Sequence, residues 1–365
     1  MARAVKIRVH HQMALTLLLL CCLYTCRLFA QNPDNDLGLL GPPNPGEQTT
    51  VHVGFRLSDI TDIDEEREIF EFESLLTLKW QDERQAFDPA ERGVQEIFFQ
   101  GAYQFNEVFN GWWPQLVLAN ESGPLEKQGE ILRIQPDGSM TYIVELDGIV
   151  KTKMNLHHFP FDSQRLEIIF KCLGLDRSEV LLKPDLETSG FRTQGVGIAQ
   201  WEFQGMELAP LDHNLTFADG HAGVSSHLAI YVSMYRNPNF ILRIFVFPLF
   251  ILIVLSWSIF WMNRSSLGDR MDISFVGILT VFAYQIVVDQ NLPRIDYLTL
   301  MSTFLYLSLF SMSAGVIVNL YVAHLDNTGR IAEGEKVDRR SRWLFPSAYI
   351  GLNLAAAAVM FMLFK

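Results

Sequence analysis

Asp269, Asp272, Val276, Leu279, Ala283, Ile286 and Gln290 are separated by steps of 3, 4, 3, 4, 3 and 4 residues. On a helix that spacing lays all seven along one face. The face opens with two carboxylates, continues through aliphatic side chains and ends on an amide. It lies in an apolar stretch, 268–291, that can cross a bilayer. A carboxylate in or at the edge of a membrane helix is costly, and its default reading is functional. Copies of the helix around an axis would stack Asp269 and Asp272 into rings of negative charge, a selectivity filter that draws cations and repels anions. Leu279 and Ile286 would form apolar collars, a gate that stops ions by dewetting. One helix cannot line a pore, so this chemistry requires an oligomer. Asp269 also suits a helix start, and Ser266-Leu-Gly-Asp269 resembles a capping box. Asp272 lies a turn further in, where a cap explains it less well. Phe275, Phe282 and Tyr284 are expected on the opposite face, packed on other helices or lipid.

The elements that must hold this stripe are legible as further apolar stretches. The first membrane helix is expected over 238–263, the pore-lining second over 268–291, the third over 295–324 and the fourth over 342–365. Residues 325–341, with Arg330, Lys336, Arg339 and Arg340, read as a short cytoplasmic loop. Residues 1–30 read as a cleaved signal peptide, with Arg3, Lys6 and Arg8 before an apolar core too short to span. Both rules place the N-terminal domain and the C-terminus on the extracytoplasmic side of the cell (inner) membrane. Of the four cysteines, Cys21, Cys22 and Cys26 fall in the leader, which leaves Cys172 without an intrachain partner.

Charge divides the 365 residues unevenly. Residues 31–237 carry 33 Asp+Glu and 15 Lys+Arg, a net of −18, so the whole-chain −12 leaves +6 elsewhere. An acidic half argues against a nucleic-acid partner, because phosphate binding needs a basic surface. It suits a domain that gathers cations. Residues 31–48 read as a flexible leader rich in Pro, Gly and Asn. Residues 49–237 alternate in short runs, among them Val51–Phe55, Ile69–Glu73, Met140–Leu146 and Leu228–Met234, separated by turns such as Pro136-Asp137-Gly138. That pattern predicts an all-β, immunoglobulin-like sandwich outside the membrane, followed by a four-helix transmembrane bundle. No GxSxG, HExxH, phosphate-cradling glycine loop or CxxC pair occurs, so an enzyme is not expected. His157 and His158 are adjacent, would face opposite sides of a strand and could not chelate one ion. No cofactor is implied. Acidic turns could bind Ca²⁺ as a modulator, though none has EF-hand spacing. The sequons at Asn120 and Asn214 are weak signals.

Several motifs in order resemble the pentameric ligand-gated ion channels of the Cys-loop superfamily, closest to their bacterial branch. They are Trp112-Trp113-Pro114 with Asn120, Phe159-Pro160-Phe161-Asp162, Arg236-Asn237-Pro238, Pro248, the pore leucine Leu279 and Asn291-Leu292-Pro293. The resemblance covers about residues 48–365. The paired Cys-loop cysteines would fall near Thr152 and Leu166, so the disulfide is absent, as in bacterial members. The resemblance implies five subunits around a central pore, here a homopentamer in membrane lipid passing monovalent cations. It implies an interface site for a small-molecule agonist or protons, onto which Ala119, Leu173, His213, Phe217, Asp219 and His221 map. The aromatic cage of the family is depleted at these positions, which argues against a quaternary-amine agonist. It also implies gating coupling through Asp162 and Arg236, the acidic turn with Asp62 and Asp64, and the second-to-third helix connection with Pro293 and Arg294. Holding the fold together is an equal reading of the Asp162–Arg236 pair.

Three other classes compete. A non-conducting membrane receptor with a β-sandwich sensor needs one anchor, and four crossings with a charged stripe exceed that need. A transporter predicts repeated membrane halves and broken helices, which are not evident. A tethered enzyme lacks a catalytic constellation.

Overall fold

The computed structural model describes residues 41–192, 198–216, 222–262, 267–289 and 295–364. The expected signal peptide and most of the leader lie outside them.

The strands are β1 (Thr49–Asp64), β2 (Ile69–Gln81), β3 (Ile97–Gln100), β4 (Leu116–Leu118), β5 (Glu126–Ile134), β6 (Ser139–Lys151), β7 (Ser163–Cys172), β8 (Val180–Pro184), β9 (Gly190–Phe191), β10 (Trp201–Thr216) and β11 (Ala222–Arg236). One sheet runs β3-β5-β6-β2-β1-β8, with β9 also paired to β1; the other runs β10-β11-β7-β4. Alternation along the strands builds the core between them. In β6 every second residue from Met140 to Val150 turns inward and is buried. Phe55 of β1 packs at 6.1 Å from Phe72 of its own sheet and 6.0 Å from Phe170 of the other, so aromatic rings bridge the two layers. The β5–β6 hairpin closes at Gly138, whose φ is +82°. A Cβ there would sit 2.5 Å from the Asp82 carbonyl oxygen, so only glycine fits the turn.

Four helices follow that are long and apolar enough to cross a membrane: α1 (Asn239–Trp261), α2 (Leu267–Asp289), α3 (Leu300–Asn327) and α4 (Ile331–Leu363). Pro248 in α1 has no N–H for the carbonyl four residues earlier, that of Ile244. The Tyr284 hydroxyl of α2 donates to that carbonyl at 2.9 Å and to that of Phe245 at 2.7 Å. The proline therefore creates an acceptor inside the bundle, and the second helix satisfies it.

Three sequence expectations are corrected here. The third helix starts at Leu300 rather than 295. Thr299 caps it, accepting from the Ser302 amide in a reciprocal capping box, so a polar pair fixes the start inside an apolar run. The loop expected over 325–341 shrinks to Thr328–Arg330, because α3 reaches Asn327 and α4 begins at Ile331. Residues 331–341 are charged but hold no proline and bury Gly334, Asp338 and Ser341 along one face. Charge marks where lipid ends, while helical propensity carries the helix past that point. His157 and His158 lie in a turn after β6, not on a strand, and both face the membrane helices.

Candidate functional site: a charged helical stripe and the junction above it

On an isolated protomer the stripe of α2 is exposed. Asp269, Asp272 and Ala283 are open, and Val276, Leu279 and Ile286 are 63%, 70% and 61% exposed. The reverse face is the packed one: Arg270, Ser274, Val281 and Val288 are buried. Phe275 and Phe282 correct the sequence reading. They are 53% and 51% exposed, since a residue four before or three after Leu279 sits beside it, not behind it. They flank the stripe, where a neighbouring subunit would meet them. Tyr284 alone of the three points into the bundle. Gln290, Pro293 and Arg294 fall outside the described residues.

At the junction, Arg236 ends β11 directly before α1 and is 1% exposed. Its Nε donates to Asp162 Oδ1 at 2.8 Å and its Nη1 to Glu65 Oε1 at 2.8 Å. The guanidinium stands 4.1 Å from the Trp201 ring and 4.7 Å from the Phe159 ring. Gln164 Nε2 donates to Asp162 Oδ2 at 2.6 Å, so the buried carboxylate is shared and not left short of partners. The acidic turn between β1 and β2 thus reaches Arg236 through Glu65. Asp62 is exposed, and Asp64 accepts from the Arg67 amide. Neither joins the pair, because the turn twists their side chains away while presenting the next residue. Glu65 lies in the same acidic run and is the member of it that bonds Arg236.

The loop carrying Phe159-Pro160-Phe161 packs against the four-helix bundle. Leu156 and Phe159 are buried among Ile241, Phe245 and Leu249 of α1. The first amides of α3 are satisfied by this loop, Leu300 donating to His157 O at 2.9 Å and Met301 to Phe159 O at 3.2 Å. His157 is sandwiched between Tyr297 at 4.1 Å and Phe364 at 3.7 Å. His158 stacks on Phe361 at 4.4 Å and meets Met360 O at 3.3 Å. Burial, then the neighbouring His158, holds His157 below the usual histidine range. The outer domain is therefore joined to the start of α1, the start of α3 and the end of α4.

The expected ligand residues are only partly gathered. Leu173, 54% exposed, follows β7 and its amide bonds Gln115 O, while Ala119 bonds Ile169 O at the far end of the β4–β7 ladder. Four residues of strand, about 13 Å, separate the two, so Ala119 does not join Leu173. The registers instead pair His213 with Ser225 between β10 and β11, and His227 with Lys171 between β11 and β7. Phe217, Asp219 and His221 lie outside the described residues. His227, one step diagonal from His213, was not marked by any motif. It is 5% exposed, its ring stacks on His213 at 5.4 Å, and its Nε2 has no hydrogen-bond partner among the described residues. Burial chiefly, with His213 and Lys171 adding, lowers its pKa, and Asp212 opposes them. Asn120 donates to Lys151 O and Glu167 O and accepts from the Ile169 amide. This network ties β4 to its neighbours and leaves the sequon without a free amide. Among the described residues, no three His, Cys, Asp or Glu side chains are grouped to hold a metal ion.

The neurotransmitter-gated ion-channel ligand-binding-domain family matches residues 39–238, more than half of the chain. A proton-gated ion channel of Gloeobacter violaceus is 25% identical over 325 residues, covering 88% of this chain and 86% of that one. A gamma-aminobutyric acid receptor beta subunit of Caenorhabditis elegans is 24% identical over 65% of this chain and 42% of its own length. The human gamma-aminobutyric acid receptor subunit rho-2 is 23% identical over 84% of this chain and 63% of its own. With a β-sandwich set on four membrane-length helices, the chain belongs to the pentameric ligand-gated ion channels of the Cys-loop superfamily, in the prokaryotic form without the loop disulfide.

Proposed function

We propose that this chain forms a homopentameric, cation-selective channel lined by α2 and opened by protons or a small ligand acting on the outer domain. The observation that carries the reading is the split of α2 into an exposed stripe headed by Asp269 and Asp272 and a buried reverse face. Five such stripes around water give two carboxylate rings at one mouth and apolar collars at Val276, Leu279 and Ile286. The basic residues near the start of α4 put that mouth on the cytoplasmic side. An outer domain of net −18 concentrates cations at the other end. The Gloeobacter relative is described as proton-gated, and buried His227, stacked on His213 in the smaller sheet, supplies a group whose protonation burial opposes.

Reversal potentials of the reconstituted protein under a salt gradient test the selectivity. The wild type is expected to reverse near the cation equilibrium potential, and Asp272→Asn to move towards chloride. Reversal of the wild type at the chloride potential would remove the cation reading.

A further inference from the structure

Between the two pore carboxylates the sequence places a cation, Arg270, and the sandwich-and-stripe scheme gives it no role. It lies nine residues before Leu279, about two and a half helical turns, and so faces directly away from the stripe. The side chain is 2% exposed and held on three sides. Its Nε donates to Ile259 O at the end of α1 at 2.9 Å, and its Nη2 and Nη1 reach Asp338 Oδ1 and Oδ2 of α4 at 3.0 and 3.4 Å. Asp338 is itself 6% exposed. Neighbouring polar contacts fix the same region: Ser274 Oγ donates to Arg270 O at 2.8 Å, and Asn319 Nδ2 of α3 donates to Ser274 Oγ at 3.2 Å. A buried forked pair of this kind is strongly oriented.

The charge count at this mouth depends on the pair. Asp269 and Asp272 give each protomer −2, and Arg270, within one turn of both, would reduce that to −1. Asp338 returns it to −2 from a different helix. A charge packed between helices is screened far less by salt than an exposed one, so an unmatched guanidinium here would act on ions in the mouth without touching them. We propose that Asp338 is a selectivity-determining residue of this channel: by pairing with Arg270 it masks the cationic charge that the pore helix carries between Asp269 and Asp272. Asp338 lines no pore and meets no ion. It acts through Arg270, as a positioning residue that also neutralises.

The inference rests on α2 lining the pore, and its test separates the two readings. Full-length protein in planar bilayers gives the cation-to-anion permeability ratio of the wild type, Asp338→Asn, Arg270→Gln and the double variant. Asp338→Asn is expected to lower the ratio by about threefold or more, as one unmasked charge from each of five subunits around a shared mouth would. Arg270→Gln, which removes the cation itself, is expected to move it the opposite way, and the double variant to return it towards wild type. A merely structural pair would alter yield, thermal stability or ease of opening and leave the ratio unmoved. Ratios equal to wild type in Asp338→Asn and Arg270→Gln overturn the inference. If Asp338→Asn does not reach the membrane, Arg270→Gln decides alone, by the direction of its shift. A wild type that prefers anions removes the cation reading but leaves this test intact, because the two single variants must still shift in opposite directions.

Discussion

Two residues show how burial separates structural from functional charge. Asp162 and Arg236 are 1% exposed each and share Glu65 and Gln164. Neutralising Asp162 leaves the buried Arg236 still paired with Glu65 but removes charge-assisted hydrogen bonds from a dry setting, which costs about 1.5–3 kcal/mol. Asp162→Asn is therefore expected to lower the thermal midpoint of the purified channel sharply, whereas Asp62→Asn, at an exposed position, leaves it nearly unchanged. Equal midpoints for the two variants would contradict the burial argument. Leu279 belongs to the other category. It is 70% exposed on the protomer, so its side chain contributes little to packing within the subunit. Leu279→Ser should wet the collar and favour the open state. Currents at a weaker stimulus than wild type requires, with no fall in thermal midpoint, are the expected result. A variant no easier to open would show that the collar lies elsewhere.

Among elements, the loop at Leu156–Asp162 is the meeting point. It supplies carbonyls to α3, imidazole faces to the end of α4 and an acid to Arg236 at the end of β11. The end of α4 holds that loop by stacked rings, Phe361 on His158 and Phe364 on His157, and by the Met360 carbonyl, 3.3 Å from His158 Nε2. Stacked pairs of this kind contribute on the order of 0.5–1.5 kcal/mol. Phe361→Ala removes one of them without disturbing the Arg236 cluster. The variant is expected to need a stronger stimulus for half-maximal current while its permeability ratio stays that of wild type. An altered ratio would place the end of α4 in the conduction path, contrary to its position beside the loop.

At the scale of the whole molecule, the function proposed above has the stimulus act on the outer domain and the opening occur at α2. His227 connects this to pH through a sign that can be worked out. Its folded pKa is lowered, chiefly by burial. An arrangement that exposes the ring therefore takes up its proton first as the pH falls below about 6.5. The packed arrangement has its full stability above that value and loses part of it between there and the depressed folded value. Acid thus favours whichever state opens the His213–His227 stack. Currents recorded over a pH series without added ligand should rise on acidification, and His227→Gln should need more acid or lose the response. A flat wild-type response would exclude protons as the stimulus and leave a small ligand.

The chain of reasoning from sequence reached far where the signal is periodic. Steps of three and four residues identified the α2 stripe, and alternation with turn residues identified the sandwich, because side-chain direction follows directly from backbone geometry. Resemblance to the family named Asp162 and Arg236 as a junction pair, and the structure shows that they touch. Tertiary structure decided what depends on long-range approach: Glu65 rather than Asp62 or Asp64 beside Arg236, Ala119 about four strand residues away from Leu173, and His227 under His213. It decided as well that Arg270 meets Asp338 across 68 positions of chain. Contacts of that kind have no period along the sequence; they arise only when packed elements exclude water and bring distant side chains within a few ångströms.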